Sequence, residues 1–293
     1  MNLVYKVEQS NLSINNILKN ELNISNRLLF KLINNKLVYK NDNLCDTRDI
    51  AQFGDIIKIN LNYEEDNSNI IPTKMDLNII YEDESLLILN KPKGIAVHPS
   101  ILHFEDTLSN GVKYYFDEID LHKKIRPVNR LDLNTSGLIV FAKNEYIQES
   151  LIKQMSNNTF KKEYLAIVTG YLENKIGTIK RSIARKEGSI IERCISENGK
   201  PAITYYEVLE EFDNFSLVKC ILKTGRTHQI RVHFASIGHP LLGDELYGEK
   251  SIFLCGHSLI CNKLSFIHPI TNDQLEFTIE NAIKNLEELL KMQ

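Results

Sequence analysis

No uninterrupted apolar segment opens this sequence: Met1-Asn2-Leu3-Val4-Tyr5-Lys6 mixes polar and apolar residues. Neither a signal peptide nor a membrane span is therefore expected, and the protein is expected to be cytoplasmic. Tryptophan is absent, and the five cysteines, Cys45, Cys194, Cys220, Cys255 and Cys261, contain no Cys-x-x-Cys pair. An odd count without that spacing suits reduced thiols and argues against a disulfide framework or a zinc knuckle. Glycine-rich dinucleotide and phosphate-binding motifs are missing, as are internal repeats. Basic excess is missing too: the formal net charge is −3, whereas the usual footprint of nucleic-acid binding is a basic patch.

What is present reads as an ordinary globular chain, 43% hydrophobic and 25% charged, with 293 residues enough for one large domain and a small one. The charges are unevenly distributed. Basic clusters occur at Lys123-Lys124-Ile125-Arg126, Lys161-Lys162, Lys180-Arg181 with Arg185-Lys186, and Lys223 with Arg226 and Arg231, while acid gathers at Glu64-Glu65-Asp66, Glu82-Asp83-Glu84 and Glu287-Glu288. They form either a basic face on a weakly acidic protein or ordinary solvated surface charge.

Residues 1–63 form a small module. Ile14, Ile17, Leu18 and Leu22, then Leu28, Leu29, Leu32 and Ile33, recur at helical spacing, with Ser25 as N-cap of the second helix. Short strands follow at Leu37-Val38-Tyr39 and Ile56-Ile57-Lys58-Ile59. Residues 64–75 are polar and read as a linker, leaving 76–293 as the main domain. Its expected elements are a hairpin around Glu82-Asp83-Glu84, a helix between Asp106 and Phe116, and another from Gln148 to Met155. A strand is expected over Tyr164–Val168 and a charged hairpin region over 176–195. Paired strands at 205–209 and 215–222 are joined by a bend at 210–214, and Thr227 caps a helix running to Ile237. Strands at 264–266 and 275–279 flank the Asn272-Asp273 turn, and a tail helix runs from Ala282 to Leu290. Many short strands with a few separate helices imply an α+β fold with a mostly antiparallel, mixed β-sheet.

The chemistry centres on Arg126-Pro127-Val128-Asn129-Arg130-Leu131-Asp132-Leu133-Asn134-Thr135-Ser136-Gly137. Arg130 and Asp132 are two residues apart, so an extended backbone projects them to one side, and Asn-Thr-Ser-Gly supplies a tight turn. Alone, the pair is either a surface ion pair or a carboxylate held ionised for catalysis. A second stretch, Gly225-Arg226-Thr227-His228-Gln229-Ile230-Arg231-Val232-His233, continues through Gly243-Asp244 to Tyr247-Gly248. Two more are Glu82-Asp83-x-x-Leu86-Leu87-x-x-Asn90-Lys91-Pro92-x-Gly94-x-x-Val97-His98 and Lys162-x-Tyr164-x-Ala166-x-Val168-x-Gly170.

These four ordered motifs closely resemble the RluA-type pseudouridine synthase family over roughly residues 76–280. The resemblance implies an isomerase that detaches uracil from ribose at nitrogen 1, turns it and rejoins it through carbon 5, without cofactor or metal. It implies Asp132 as the catalytic carboxylate, Tyr164 as a ring-stacking residue whose hydroxyl helps remove the carbon 5 proton, and Arg231 as partner of the aspartate. Arg130, Thr135, Arg226, His228 and Gln229 are expected to contact substrate. The base is expected to be flipped out of a stem-loop RNA. The first module resembles an S-four type RNA-binding domain, in which Lys19, Arg27, Lys31, Lys36 and Lys40 would meet phosphates; otherwise they are the polar face of two amphipathic helices. Asn35 stands where that domain usually has Gly, and Asn41-Asp42 replaces an Asn-Gly turn. Asn129 also departs from the pattern, which commonly has His there; an amide cannot carry a proton charge.

The expected partner is RNA, ribosomal or transfer, with large-subunit ribosomal RNA favoured by the first module, and the protein is expected to act as a monomer. A non-catalytic RNA-binding protein retaining the fold is one rival. Another is a metallohydrolase built on His228, His233, His239 and His257, but His228 and His233 are five apart and do not stack on one helical face. A glycosidase lacks a second acid beside Asp132.

Overall fold

Leu86-Leu87-Ile88-Leu89 and Leu138-Ile139-Val140-Phe141 are continuous apolar runs, and each is buried on both faces in the middle of the molecule. A computed structural model describes residues 1–251, 254, 256–283 and 286. Its centre is a nine-stranded sheet. Across it run Ile176–Lys180, Ile203–Phe212, Phe215–Leu222, Lys161–Thr169, Leu259–Ile267, Ser136–Ala142, Leu86–Lys91 and Ile79–Glu82, with Gln274–Thr278 also paired to Leu259–Ile267. Among the described strands one pairing is parallel, Leu259–Ile267 with Ser136–Ala142. Helices Leu108–Glu118 and Glu145–Ser156 accompany this sheet. The fold is α+β and mostly antiparallel, as the strand pattern implies. No helix of the described residues is long and apolar enough to cross a membrane.

The first module holds a four-stranded sheet of Asn2–Lys6, Ile56–Asn60, Val38–Lys40 and Asn43–Leu44, with the helix Asn26–Asn34. The Ser25 hydroxyl caps that helix by accepting from Leu28 N at 3.2 Å. Asn41 and Asp42 both take positive φ, 48° and 62°, the geometry a two-residue hairpin turn demands. Asn35, by contrast, stays at φ −90°, and Lys36 takes the left-handed conformation at 55°.

Residues 64–75 contain no helix or strand, but they do not hang free. Glu65 is 8% exposed; Arg126 Nη1 and Nη2 donate to its two oxygens at 2.6 and 2.7 Å, and Lys31 Nζ donates at 2.6 Å. Asn67 Nδ2 donates to Lys123 O at 3.0 Å. Because a buried carboxylate needs partners, this polar stretch is held against both the first module and the base of the Asp132 motif.

Other boundaries shift for local reasons. The helix expected at Gln148 begins at Glu145, because Asn144 caps it. The strand expected to end at 209 runs to Phe212, since Asn214 at φ 62° lets a tight turn replace the expected bend. The 176–195 region is not one hairpin: Ile176–Lys180 joins the large sheet, and Ile183–Arg185 pairs with Arg193–Ile195 in a separate ribbon. The helix expected from Thr227 to Ile237 spans Gln229–Ala235. His228 precedes it in the left-handed conformation, φ 57°, and makes no side-chain cap. The Gln229 side chain closes that turn instead, its Oε1 accepting from Arg226 N at 3.0 Å. Most of the expected tail helix, and Cys255, lie outside the described residues.

Candidate active site

Asp132 sits in a turn that is fixed from several sides. Thr135 N donates to Asp132 O at 3.1 Å, and the strand Ser136–Ala142 starts directly afterwards. The buried Asn129 amide clips the incoming chain to that strand: its Nδ2 donates to Leu138 O at 3.1 Å and its Oδ1 accepts from Val140 N at 2.9 Å. Lys91, fully buried, donates to Pro92 O, Ile95 O and Leu133 O at 2.9, 2.7 and 3.0 Å. Burial pushes its ammonium down to about 8, against the pull of Asp132. Gly137, at φ 112°, lies so close to Cys261 that a Cβ would collide with its backbone. The Thr135 hydroxyl meets His257 Nε2 at 2.8 Å, and burial, with Arg231 nearby, pushes that imidazole down to about 4.

The turn delivers Asp132 to an open cleft bordered also by Arg130, Tyr164, Arg226, His228 and Arg231. Arg231 divides its donors. Nε and Nη2 form a fork on Asp244 at 2.7 and 2.8 Å, and Nη1 faces Asp132 Oδ2 at 3.4 Å. Asp244 is anchored in turn by Leu246 N at 3.1 Å and Tyr247 N at 3.2 Å. Burial alone would raise the Asp244 carboxyl, but the Arg231 hydrogen bonds overcome it and hold the group below its ordinary value. For Arg231 likewise, burial lowers and Asp244 more than restores, leaving the guanidinium raised. The side chain of Asp132 keeps 27% of its surface exposed, against 9% for Arg231 and 0% for Asp244. One arginine thus joins a buried, structural aspartate to an accessible one.

Tyr164 enters from the strand Lys161–Thr169, opposite Cys220 on one side and Cys261 on the other. Burial, then Cys261, raises its phenol well above the ordinary value. In the free protein Tyr164 is therefore a ring surface and a neutral hydroxyl, not a standing phenolate base. His228 lies at 3.8 Å from Asp132 Oδ2, with Nδ1 at 2.8 Å from the Tyr247 hydroxyl. Burial lowers its pKa, opposed by Asp132.

The expected residues divide accordingly. Asp132, Tyr164, Arg231, Arg130, Thr135, Arg226, His228 and Gln229 all border the cleft. The Arg130–Asp132 pair suggested by spacing is not formed: the segment is not a strand, and among the described residues the cation paired to Asp132 is Arg231, with the His228 imidazole 3.8 Å away. Gln229 is buried in the cleft wall and spends its amide on Thr204, Ile203, Thr224 and Arg226. Lys31 lies between Glu65 and Glu145, which withdraws it from phosphate contact, whereas the Arg27 side chain is 80% exposed although paired to Glu145. The four histidines of the metal alternative go to separate partners: Tyr247, Thr204, Thr169 and Thr135. Among the described residues no group of His, Cys, Asp or Glu converges on one point as metal ligands would. Residues not assigned from sequence include Asp244, Tyr247, His257 and Lys91. For Asp244, Tyr247 and Lys91 the one signal was membership of quoted motifs, which gives no partner, and His257 entered only as a ligand of the metal alternative.

A sheet cleft in which an accessible carboxylate faces a fixed arginine beside a buried ring suits carboxylate chemistry on a flat heterocycle. The RNA pseudouridylate synthase family matches residues 85–236. The sequence is 40% identical over 236 residues to an uncharacterized RNA pseudouridine synthase, YlyB of Bacillus subtilis, covering 76% of this chain and 78% of that protein. It is 34% identical over 297 residues to ribosomal large subunit pseudouridine synthase D of Blochmanniella floridana, covering 94% and 92%. Among solved structures, Human RNA Pseudouridylate Synthase Domain Containing 1 superposes with a TM-score of 0.57 at 26% identity, covering 74% of this chain and 96% of that one. The chain belongs to the RNA pseudouridylate synthase family, and it is an isomerase of uridine in RNA.

Proposed function

We propose that this protein isomerises uridines of large-subunit ribosomal RNA, with Asp132 as the reacting carboxylate. The observation that carries the assignment of Asp132 is its position: it is accessible in the cleft, while the arginine beside it is fixed from behind by a buried second aspartate. The similarity to a ribosomal large subunit pseudouridine synthase along nearly the whole chain supports the RNA class. In this reading Asp132 acts at the sugar or ring as the bond from nitrogen 1 to ribose breaks. Arg231 keeps the carboxylate oriented, and the Tyr164 ring stacks on the uracil before the bond to carbon 5 forms. The proton leaves carbon 5 for the Tyr164 oxygen as the neutral hydroxyl passes its own proton to water entering the cleft. Lys19, Lys36 and Arg27 of the first module would steer RNA phosphates. The reading extends to a monomer in the cytoplasm, in keeping with the four described cysteines being unpaired.

The test uses RNA tritiated at uracil carbon 5 and counts label released to water. Wild-type protein is expected to release label from unmodified ribosomal RNA, and from a stem-loop faster than from a perfect duplex, while Asp132→Ala releases none. Release from transfer RNA alone would replace the RNA class. No release from either RNA by a folded, RNA-binding protein would favour the non-catalytic alternative.

A further inference from the structure

Next to the active-site cleft, and sharing Leu222 and Arg226 with it, lies a second groove. Its floor is apolar, including Val128, Met155 and Phe160, and its basic side chains are Lys162, Lys223 and Arg226. No carboxylate lines it, in a chain that carries 38 acidic residues and a net charge of −3. Lys162 stands two residues before Tyr164 on the strand Lys161–Thr169, so both side chains project from the same face of the sheet. Its ammonium lies beneath Gly225, at ordinary contact distance from where a Cβ would be. The hydrogen-bond partner found for it is the Met155 sulfur at 3.8 Å, a weak acceptor. Burial lowers the pKa of this lysine, with only a partial offset from Cys261. A partly desolvated cation without a carboxylate is costly unless an anion completes it. Two more deeply buried lysines here are completed by oxygen: Lys91 by three carbonyls, and Lys143 by Glu82 and Asp83 O.

We propose that this groove is a subsite for the nucleotide flanking the target uridine, with Lys162 and Lys223 receiving its phosphate and the apolar floor taking its ribose and base. The proposal rests on the RNA reading above. A strand whose uridine occupies the central cleft must leave it, and here the exit past Arg226 is basic, acid-free and apolar at its base, the combination that single-stranded nucleic acid requires. A protein partner would bring groups able to use hydrogen-bond donors and acceptors alike, whereas the polar charge of this groove is of one sign.

Two measurements test it. The first is tritium release from an unmodified, tritiated large-subunit ribosomal RNA transcript by wild type, Lys162→Met, Lys162→Arg and Lys223→Met. Lys162→Met is expected to raise KM about tenfold with kcat within about twofold, as loss of a charged hydrogen bond to bound substrate would do. Lys162→Arg is expected to restore most of the loss. The second is filter binding of the same transcript across a salt series, made in an Asp132→Asn background. Here Lys162→Met is expected to flatten the log–log salt slope by about 0.7, the share of one phosphate on a single strand. An unchanged KM and slope would overturn the subsite, as would a fall in kcat alone, which would mean that Lys162 acts through Tyr164. If Lys162→Met does not fold, Lys223→Met decides, with about a threefold rise in KM expected and the same slope change. If wild type releases no tritium, the reading of function fails, while the salt slope still reports whether an RNA phosphate sits on Lys162.

Discussion

Two aspartates share Arg231, and they should answer the same substitution in opposite ways. Asp244 accepts from Arg231 Nε and Nη2 and from two backbone amides, and its side chain is 0% exposed. Asn in its place keeps the shape, but it removes the charge that compensates a guanidinium only 9% exposed and forces one amide hydrogen against a donor. Breaking a buried pair from one side costs about 3–5 kcal/mol. For a chain of this size that lowers Tm by roughly 10 °C. Asp132 meets Arg231 at 3.4 Å and keeps 27% of its side chain exposed, so solvent screens the pair and Asp132→Asn should lie within about 1 kcal/mol of wild type. Its kcat, however, should fall at least about 10⁴-fold. Asp244→Asn, assayed well below its Tm, should lose about 10²-fold, because Asp132 loses a fixed partner and its aim.

Denaturant melts paired with tritium release separate these cases. The double variant leaves Arg231 with no carboxylate and should cost about 1 kcal/mol more than the two single changes added. Equal destabilisation by the two substitutions would refute the division of roles. So would an Asp244→Asn protein as stable as wild type, since the fork at 2.7 and 2.8 Å would then carry no net stability.

Gly137→Ala should cost at least about 3 kcal/mol, visible as poor folding, because both its φ of 112° and the Cys261 backbone exclude a Cβ. Tyr164→Phe keeps the ring and removes the proposed proton route, so kcat should fall about 10²-fold or more while RNA affinity holds in a binding assay. Asn129→Ala strands Leu138 O and Val140 N and should cost about 2 kcal/mol in a melt, with the pH profile of activity unchanged in shape. His257 is held at about 4 when folded and at its ordinary 6.5 when unfolded, so its contribution is present above 6.5 and lost as pH falls toward 4. His257→Gln should flatten stability across that window by up to about 3 kcal/mol. Glu65, lowered to about 2 by Arg126 and Lys31 despite the opposing effect of burial, acts below it: its contribution is lost as pH falls from 4.5, and Glu65→Gln should remove that lower limb in an acid titration.

Sequence alone was enough where a residue's role is set by its own neighbours in the chain. Asp132 is delivered by a turn whose Asn-Thr-Ser-Gly residues are adjacent to it, Tyr164 by the strand in which it lies, and Ser25 caps the helix it precedes. Burial of charge is different, because it depends on partners far along the chain. Glu65 sits in a run of polar residues that resembles a free linker, yet it is buried because Arg126, 61 positions away, reaches it. Lys31 read either as a phosphate ligand or as part of a polar helix face, and its pairing with Glu65 and Glu145 was not visible in either reading. Asp244 carried no legible role, since nothing in Gly243-Asp244 says that both oxygens will be spent on Arg231. That hidden pair alters what the motifs mean. An arginine held by Asp132 alone would be free to follow it, whereas one forked onto a buried Asp244 is a fixed point against which Asp132 is aimed. The carboxylate proposed to react is then positioned by a second one through Arg231, and of the two substitutions Asp244→Asn, at the aspartate away from the cleft, is the one expected to destabilise the fold.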